Sequence, residues 1–249
     1  MIIKEKGVIL KIGTTVHGDR LLFILTQERG RIQVFDRSFK SGGKKRSTLD
    51  LFTYCEFVLY EHNGKYSLNT AEVLENFYKL RENIAGTGLA GYFSQLCLFS
   101  TQDTNVQHRQ LPSLMLNALY LLSRFPEQAE KVKTVFEWKV AQFLGFTPTL
   151  SGCAHVHFDQ TVYFSTEDGG LYCKACLPSG SGAPAFEVQA GEIKAIAHIL
   201  EHPPSKAFSF KISAPSMKKI SEISENFLHY HSGQEFSALS MYKVLGTES

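Results

Sequence analysis

The sequence predicts an α+β protein of several domains, with an N-terminal OB-type β-barrel, then a helical domain that carries an inserted zinc-knuckle-like segment. Three observations predict it. Short alternating apolar segments fill the first 75 residues, helical spacing of apolar residues follows, and three of the five cysteines lie between positions 153 and 176. A chain of 249 residues with 43% apolar content can form two or three domains. We expect a barrel at 1–75, a helical domain at 76–150 and 185–249, and the insertion at 151–184.

The barrel prediction rests on five short segments that are rich in branched and aromatic residues. A His62-Asn63-Gly64 turn joins the last two segments, as expected for a hairpin. Five strands in so short a stretch are typical of an OB-type barrel, although an SH3-like barrel has similar signals. The predicted strands are 7–12, 20–26, 31–35, 55–60 and 66–70.

Positive charge is concentrated around the third predicted strand and the loop after it. The net charge of +2 is too small to indicate a nucleic-acid partner, but from Arg29 to Arg46 seven cations face one anion, Asp36. A protein that accepts any nucleic-acid sequence needs phosphate contacts and stacking rings. One cation alone is typical of a solvated surface, whereas the cluster indicates DNA contact. The predicted DNA-binding residues are Lys44, Lys45 and Arg46 first, then Arg37, Lys40, Arg31 and Arg20, with Phe35 and Phe39 as stacking rings.

Helical spacing begins after Glu72 and predicts helices at 76–99, 107–124, 127–144, 191–202 and 216–230. In the third helix the apolar residues share one face, so the polar residues are expected mostly on the other: Lys131, Lys133, Glu137, Lys139 and Gln142. Gly145 is placed to cap this helix, and Pro148 prevents its continuation. A Ser/Gly/Ala/Pro stretch at 179–184 is expected to be a flexible link.

The cysteine pattern predicts a structural zinc site. Cys173 and Cys176 form one C-x-x-C limb, and Cys153 with His157 supplies the other, because Val156 stands where a second cysteine would. His155 competes with His157 as the fourth ligand. Four protein ligands leave no open position for catalytic water. The pair could also be a dithiol redox centre or two packed thiols, and Cys55 and Cys97 are expected to be packed, reduced thiols.

No apolar run is long enough for a membrane span, and the charged start lacks the apolar stretch of a signal peptide. We therefore expect a reducing cytosolic location without disulfides.

The order of these parts resembles the RecO family of bacterial recombination mediators. The resemblance is carried by Phe136-Glu137, Leu144-Gly145-Phe146, Pro148, Leu150, Cys153, Phe164-Ser165, Gly169-Gly170 and Cys173-x-x-Cys176, together with the early strand at 7–10, the turn at 26–30 and the basic loop. It implies a cytoplasmic, nucleoid-associated protein that binds ssDNA and dsDNA, anneals complementary strands and assists recombinase loading with RecR. No catalysis is expected.

The resemblance also implies that the acidic tail of single-stranded DNA-binding protein docks on the helical domain. RecF is a further partner to consider, and the sequence leaves open whether it takes part. Arg109, Arg124, Lys131 and Lys133 are candidates for that docking. The resemblance implies a cysteine at the position of Val156 in zinc-bearing members, whereas some members lack the metal, so the chain departs from the zinc-bearing pattern here. Two other function classes compete with this interpretation: a protein-interaction scaffold with a structural zinc knuckle, and a C-x-x-C redox protein.

Overall fold

The computed structural model describes residues 1–37, 49–102, 109–152, 161–177 and 182–246. The chain divides into two compact units: unit 1 is Met1–Pro126 with Phe236–Ser249, and unit 2 is Glu127–Glu235. Within the described residues, every helix is too short or too polar to cross a membrane.

Five strands form a closed barrel at the start of unit 1: β1 (Ile2–Thr14), β2 (Arg20–Thr26), β3 (Gly30–Asp36), β4 (Tyr54–His62) and β5 (Lys65–Glu75). Their order around the barrel is β1-β2-β3-β5-β4. β3 and β5 run parallel, and the other neighbours are antiparallel. The predicted OB-type barrel is confirmed.

Alternation along the strands builds the barrel core, because every second side chain points inward. Ile9, Leu22 and Phe57 are fully buried members of this core. β1 pairs with both β2 and β4, and its register shifts between Ile9 and Lys11, as a β-bulge does where a strand bends. Gly7 lies at a close approach of β1 to β2, where a Cβ would come within 2.7 Å of the Leu25 carbonyl oxygen.

The helices of unit 1 are α1 (Ile84–Ser100), α2 (Leu111–Arg124) and α7 (Ser237–Gly246), with a short 3-10 helix at Tyr78–Glu82. The predicted helix at 76–99 is therefore divided. Phe77 has a φ of 47°, which turns the chain before the 3-10 helix. Asn83 then starts α1, since its side-chain oxygen accepts a hydrogen bond from the Gly86 amide at 2.9 Å.

Unit 2 combines helices α3 (Ala129–Phe143), α4 (Ala190–Glu201), α5 (Pro204–Ala207) and α6 (Ala214–Ser232) with a small sheet. The sheet has the order β7-β6-β8, with β6 at Val162–Ser165, β7 at Leu171–Cys173 and β8 at Ala185–Val188. Trp138 packs against Phe164 at 5.9 Å and Phe227 at 5.2 Å between ring centroids, which joins the sheet to α3 and α6. Residues 179–181 of the predicted link lie outside the described residues.

The end of α3 is capped as predicted. Gly145 has a φ of 90°, its amide donates to the Gln142 carbonyl at 3.1 Å, and the Phe146 amide donates to the Ala141 carbonyl at 2.9 Å. These two bonds form a Schellman motif, in which glycine avoids the strain of the left-handed region.

The predicted polar face of α3 is wrong for three of its five residues, whereas Lys131 and Gln142 are partly exposed. Lys133, Glu137 and Lys139 are only 4%, 0% and 2% exposed, because α3 packs against α4 and α6. Lys133 Nζ lies 3.0 Å from Glu137 Oε1 and 2.9 Å from Glu225 Oε2. Ser224 Oγ donates to Glu137 Oε2 at 2.6 Å. Paired charges can be buried in this way when each has hydrogen-bonding partners.

Candidate nucleic-acid interface

The outer surface of β2 and β3 carries aromatic and cationic side chains side by side. Leu21, Phe23, Arg31 and Phe35 are half-buried, whereas their strand neighbours point into the core. In the register of the two strands, Phe23 lies opposite Gln33 and Leu21 lies opposite Phe35. We call this surface the β2–β3 face and define it by Lys11, Leu21, Phe23, Arg31, Gln33 and Phe35.

Lys11 extends the β2–β3 face onto β1. It pairs with Phe23 in the sheet register, and its Nζ lies 5.6 Å from the centre of the Phe23 ring. A cation and an aromatic ring, the side chains that contact phosphates and bases, therefore lie next to each other here. Sequence reasoning selected Arg31 and Phe35 but missed Lys11 and Phe23. The alternation of β2 places Phe23 on the same side as Leu21, and this pattern could have identified Phe23 from the sequence.

Arg20 contacts Leu49, the residue that directly follows residues 38–48. We call residues 38–48 the basic segment. The Arg20 guanidinium donates to the carbonyl oxygen of Leu49, which is itself buried in the barrel core. Arg81 Nη1 holds the next residue, Asp50, at 2.8 Å. The predicted site residue Arg20 thus anchors the end of this segment and has fewer donors left for a phosphate than a fully exposed arginine.

Arg37 is exposed and is the last described residue before the basic segment. Lys40, Lys44, Lys45 and Arg46, with Phe39, lie outside the described residues and stay predictions. Both attachment points are described: β3 ends at Asp36, opposite Arg20, and Arg20 contacts Leu49. Described residues that flank the basic segment, Asp36 before it and Leu49 after it, therefore both lie beside Arg20 at one end of the β2–β3 face.

Arg29, another cation of the sequence cluster, is engaged within the barrel. Its Nε donates to Glu5 Oε1 at 2.7 Å, and Glu5 is only 6% exposed. The hydrogen bond to Glu5 raises the pKa of Arg29. Arg29 is thus paired with a buried carboxylate, although its own side chain is 39% exposed.

The described half of the predicted zinc site is a tight turn after β7. The amides of Cys176 and Leu177 each donate to the Cys173 carbonyl at 3.1 Å. Both thiols are free of disulfides, and Cys173 is 8% exposed. Two reduced thiols on one turn suit a soft metal ion such as zinc. Cys153, His155 and His157 lie outside the described residues, and the part of the chain that is described contains no cluster of three metal-ligating residues.

The other two thiols are packed, as predicted. Cys55 and Cys97 are fully buried. Burial raises the pKa of Cys55 to about 12 and raises that of Cys97 as well. Thiols of this kind are unreactive.

Two of the four cations considered for peptide docking have partners inside unit 2. Lys131 Nζ donates to the Phe210 carbonyl at 2.7 Å and lies 4.6 Å from the Phe210 ring centre. Lys133 belongs to the buried network on α3. Arg109 and Arg124 are exposed in unit 1.

The barrel and its aromatic, cationic outer face define an OB-barrel protein, extended by a helical domain with a small inserted sheet. The family described as Recombination protein O N terminal matches residues 1–77, and the one described as Recombination protein O C terminal matches residues 81–239. The chain therefore belongs to the RecO family, which confirms the resemblance seen in the sequence.

Several relatives match over most of their length. "DNA repair protein RecO" of Acetivibrio thermocellus is 26% identical over 250 residues, covering 98% of this chain and 97% of its own. The protein of the same description from Caldicellulosiruptor bescii is 27% identical and covers 90% of this chain and 85% of its own. That from Alkaliphilus metalliredigens is 25% identical, with coverage of 98% and 100%.

Proposed function

We propose that this protein is a non-catalytic recombination mediator that binds ssDNA and dsDNA, anneals complementary strands and assists recombinase loading in recombinational DNA repair. The relatives' name, "DNA repair protein RecO", supports the general role. The β2–β3 face is the observation that supports the DNA-binding part of this proposal, because OB-folds bind oligonucleotides on the face formed by these two strands.

On this face, bases stack on the rings of Phe23 and Phe35, while phosphates contact Lys11, Arg31 and Arg37. The basic segment adds Lys40, Lys44, Lys45 and Arg46 beside them. Stacking and phosphate contact use features that all bases share, so the protein accepts any sequence. Side chains that read sequence through hydrogen bonds to base edges are therefore not required.

Annealing requires weak contacts. Two strands that repel each other must be neutralised on one surface, and the duplex must then leave it. Many screened cationic contacts meet both conditions, because each is weak and each depends on salt.

The proposed partners are RecR and the C-terminal tail of single-stranded DNA-binding protein, which the family resemblance implies, and RecF, in the bacterial cytoplasm. With Lys131 and Lys133 engaged inside unit 2, Arg109, which is exposed in unit 1, is the better candidate for contact with an acidic tail.

A structural zinc ion held by Cys173, Cys176, Cys153 and His157, with His155 as the competing ligand, is a second part of the proposal. The turn at Cys173 supports it, because both thiols are reduced and lie on one tight loop. We expect metal analysis to find about one zinc per chain and chelation to lower the melting temperature. Protein purified without chelator that contains no zinc would refute this part alone.

The function is tested with a fluorescent oligonucleotide of arbitrary sequence at low salt. The protein should bind it and accelerate pairing with its complement. Phe23→Leu with Phe35→Leu keeps apolar volume but removes both rings, so affinity should fall by about 1–3 kcal/mol per stacked base. Phe23→Tyr with Phe35→Tyr is the matched control and should retain affinity. A wild-type chain that neither binds nor anneals DNA would be a scaffold or redox protein instead.

A further inference from the structure

A shallow groove in unit 1 lies between the 3-10 helix at Tyr78–Glu82 and the last turn of α2. Its volume is about 140 Å³, and its lining includes Tyr78, Lys79, Tyr120 and Arg124. The two tyrosines are 66% and 50% exposed. Because both side chains line the same groove, they leave two ring faces there for a ligand to contact.

The chain holds Tyr78 in this position through a constrained turn. Glu75 Oε1 accepts hydrogen bonds from the amides of Asn76 at 2.9 Å and Phe77 at 3.0 Å. Phe77, with its left-handed φ of 47°, is buried at 6% exposure, whereas the next residue points outward. A non-glycine residue in this region costs about 1–3 kcal/mol, so the fold maintains the turn against strain.

Within the described residues, the polar ends of Lys79 and Arg124 have no hydrogen-bond or ion-pair partner, and neither do the tyrosine hydroxyls. Other cations nearby are engaged: Arg81, for example, is paired with Asp50. The one carboxylate in the lining, Glu75, accepts backbone hydrogen bonds. The groove therefore offers two cations and two ring faces to a ligand.

We infer that this groove, named here the Tyr78/Tyr120 groove, binds a short segment of single-stranded nucleic acid as a second strand site. The inference rests on the proposed function and adds to it a location for the second strand. Lys79 and Arg124 contact phosphates, and the tyrosine rings stack on bases. Both surfaces belong to unit 1, so one chain holds both strands.

The shape of the groove favours a polynucleotide over an acidic peptide. A peptide anchored by an aromatic residue needs an enclosed apolar pocket that removes the side chain from water. This groove is small and open, and its rings are themselves half-exposed. Stacking needs only an exposed ring face, which Tyr78 and Tyr120 provide.

Holding two strands on one chain replaces a collision in solution by an encounter at high effective concentration. The gain does not require tight binding at either site. Weak binding at the Tyr78/Tyr120 groove is in fact favourable, because the finished duplex must leave.

The test uses two oligonucleotides of about eight nucleotides that cannot pair, one with a donor dye and one with an acceptor dye. Wild-type protein should bind both and give energy transfer. Tyr78→Leu with Tyr120→Leu should weaken binding of the second strand by about 5- to 100-fold, abolish the energy transfer and slow annealing of complementary strands. Binding of the first strand should not change.

Three control variants make the result specific. Tyr78→Phe with Tyr120→Phe keeps the rings and should preserve energy transfer. Tyr60→Leu removes a tyrosine that is 49% exposed on β4 and should have no effect. Arg124→Ala should weaken the second strand, whereas Lys194→Ala, which removes an exposed cation on α4, should not.

Unchanged energy transfer in the double leucine variant would overturn the inference. The inference would also be overturned if a labelled acidic peptide bound wild type but not this variant, and the second strand still bound to the variant. The groove would then be a peptide site. If Phe23→Leu with Phe35→Leu loses the first strand and the tyrosine variants are silent, only this inference fails. If wild type binds no oligonucleotide, the proposed function fails with it.

Discussion

Lys139 is a buried charge on α3 whose hydrogen-bond partners, among the residues that the structure describes, are neutral groups. Its side chain is almost fully buried, and Nζ donates to Gln142 Oε1 at 2.8 Å and to the Leu200 carbonyl at 3.0 Å. Leu200 lies in the last turn of α4, where carbonyl oxygens lack helical partners and favour a cation. Burial nevertheless lowers the pKa of Lys139 from 10.5 to about 8.

This lowered pKa predicts a specific pH dependence of stability. Between pH 8 and 10.5 the unfolded chain holds a proton on Lys139 that the folded chain has lost, so the free energy of unfolding rises with pH. Lys139→Met should remove that rise, as measured by urea unfolding from pH 7.5 to 10.5. Lys194→Met on the exposed side of α4 is the control and should follow wild type. Parallel curves for Lys139→Met and wild type would contradict the prediction.

Lys133, on the same helix, behaves in the opposite way. Burial lowers its pKa, but the charges and hydrogen bonds of Glu137 and Glu225 outweigh burial and raise the pKa overall. The sequence placed both lysines on a solvent face because their spacing matches one. Spacing along α3 cannot show that α4 and α6 cover that face, so tertiary packing overrides the helical pattern here.

At the scale of elements, α7 docks on α1 through small residues and one glutamine. Gly91 faces α7, and a Cβ added there would lie 3.8 Å from the Ala238 Cβ. Gln95 accepts a hydrogen bond from the Ala238 amide at 3.1 Å and donates to Ser237 Oγ at 3.0 Å. The Phe236 ring packs against Tyr92 at 5.7 Å between centroids.

This contact predicts different outcomes for two substitutions at Gly91. Alanine has room and improves helix propensity, so Gly91→Ala should maintain or raise the melting temperature. Gly91→Val adds branches that α7 must avoid, which should cost about 1–3 kcal/mol. Hydrogen exchange should then increase in 237–246 for Gly91→Val only. Equal protection of α7 in both variants would contradict the docking described here.

Elements differ in how well the sequence predicts them. The five barrel strands alternate over enough residues to be recognised, and the long helices show clear apolar spacing. β6, β7 and β8 have only three or four residues each, which is too short for periodicity to be distinctive. α7, a ten-residue helix that packs against α1, was not predicted. In the site, Arg31 and Phe35 were predicted, but Lys11 and Phe23 required the register between strands.

At the scale of the whole molecule, DNA affinity should depend on salt through the basic segment. Each phosphate neutralised on a single strand contributes about 0.7 to the slope of log affinity against log salt. Replacing Lys44, Lys45 and Arg46 by alanine should therefore reduce the slope by up to about 2 and slow annealing.

The control for this triple variant removes the same charge from unit 2, by Lys194→Ala, Lys211→Ala and Lys218→Ala, all exposed lysines. Equal slopes for the two triple variants would show that net charge, and not the basic segment, determines the salt dependence.

The division of the chain between the two units has a consequence for biosynthesis. Unit 1 draws on Met1–Pro126 and on Phe236–Ser249, with all of unit 2 between them in the sequence. On the ribosome, the barrel can close early, but the glycine-lined side of α1 stays bare until the final helix has emerged. A nascent chain that stalls before that point exposes an apolar groove, which makes it a substrate for chaperones and proteases.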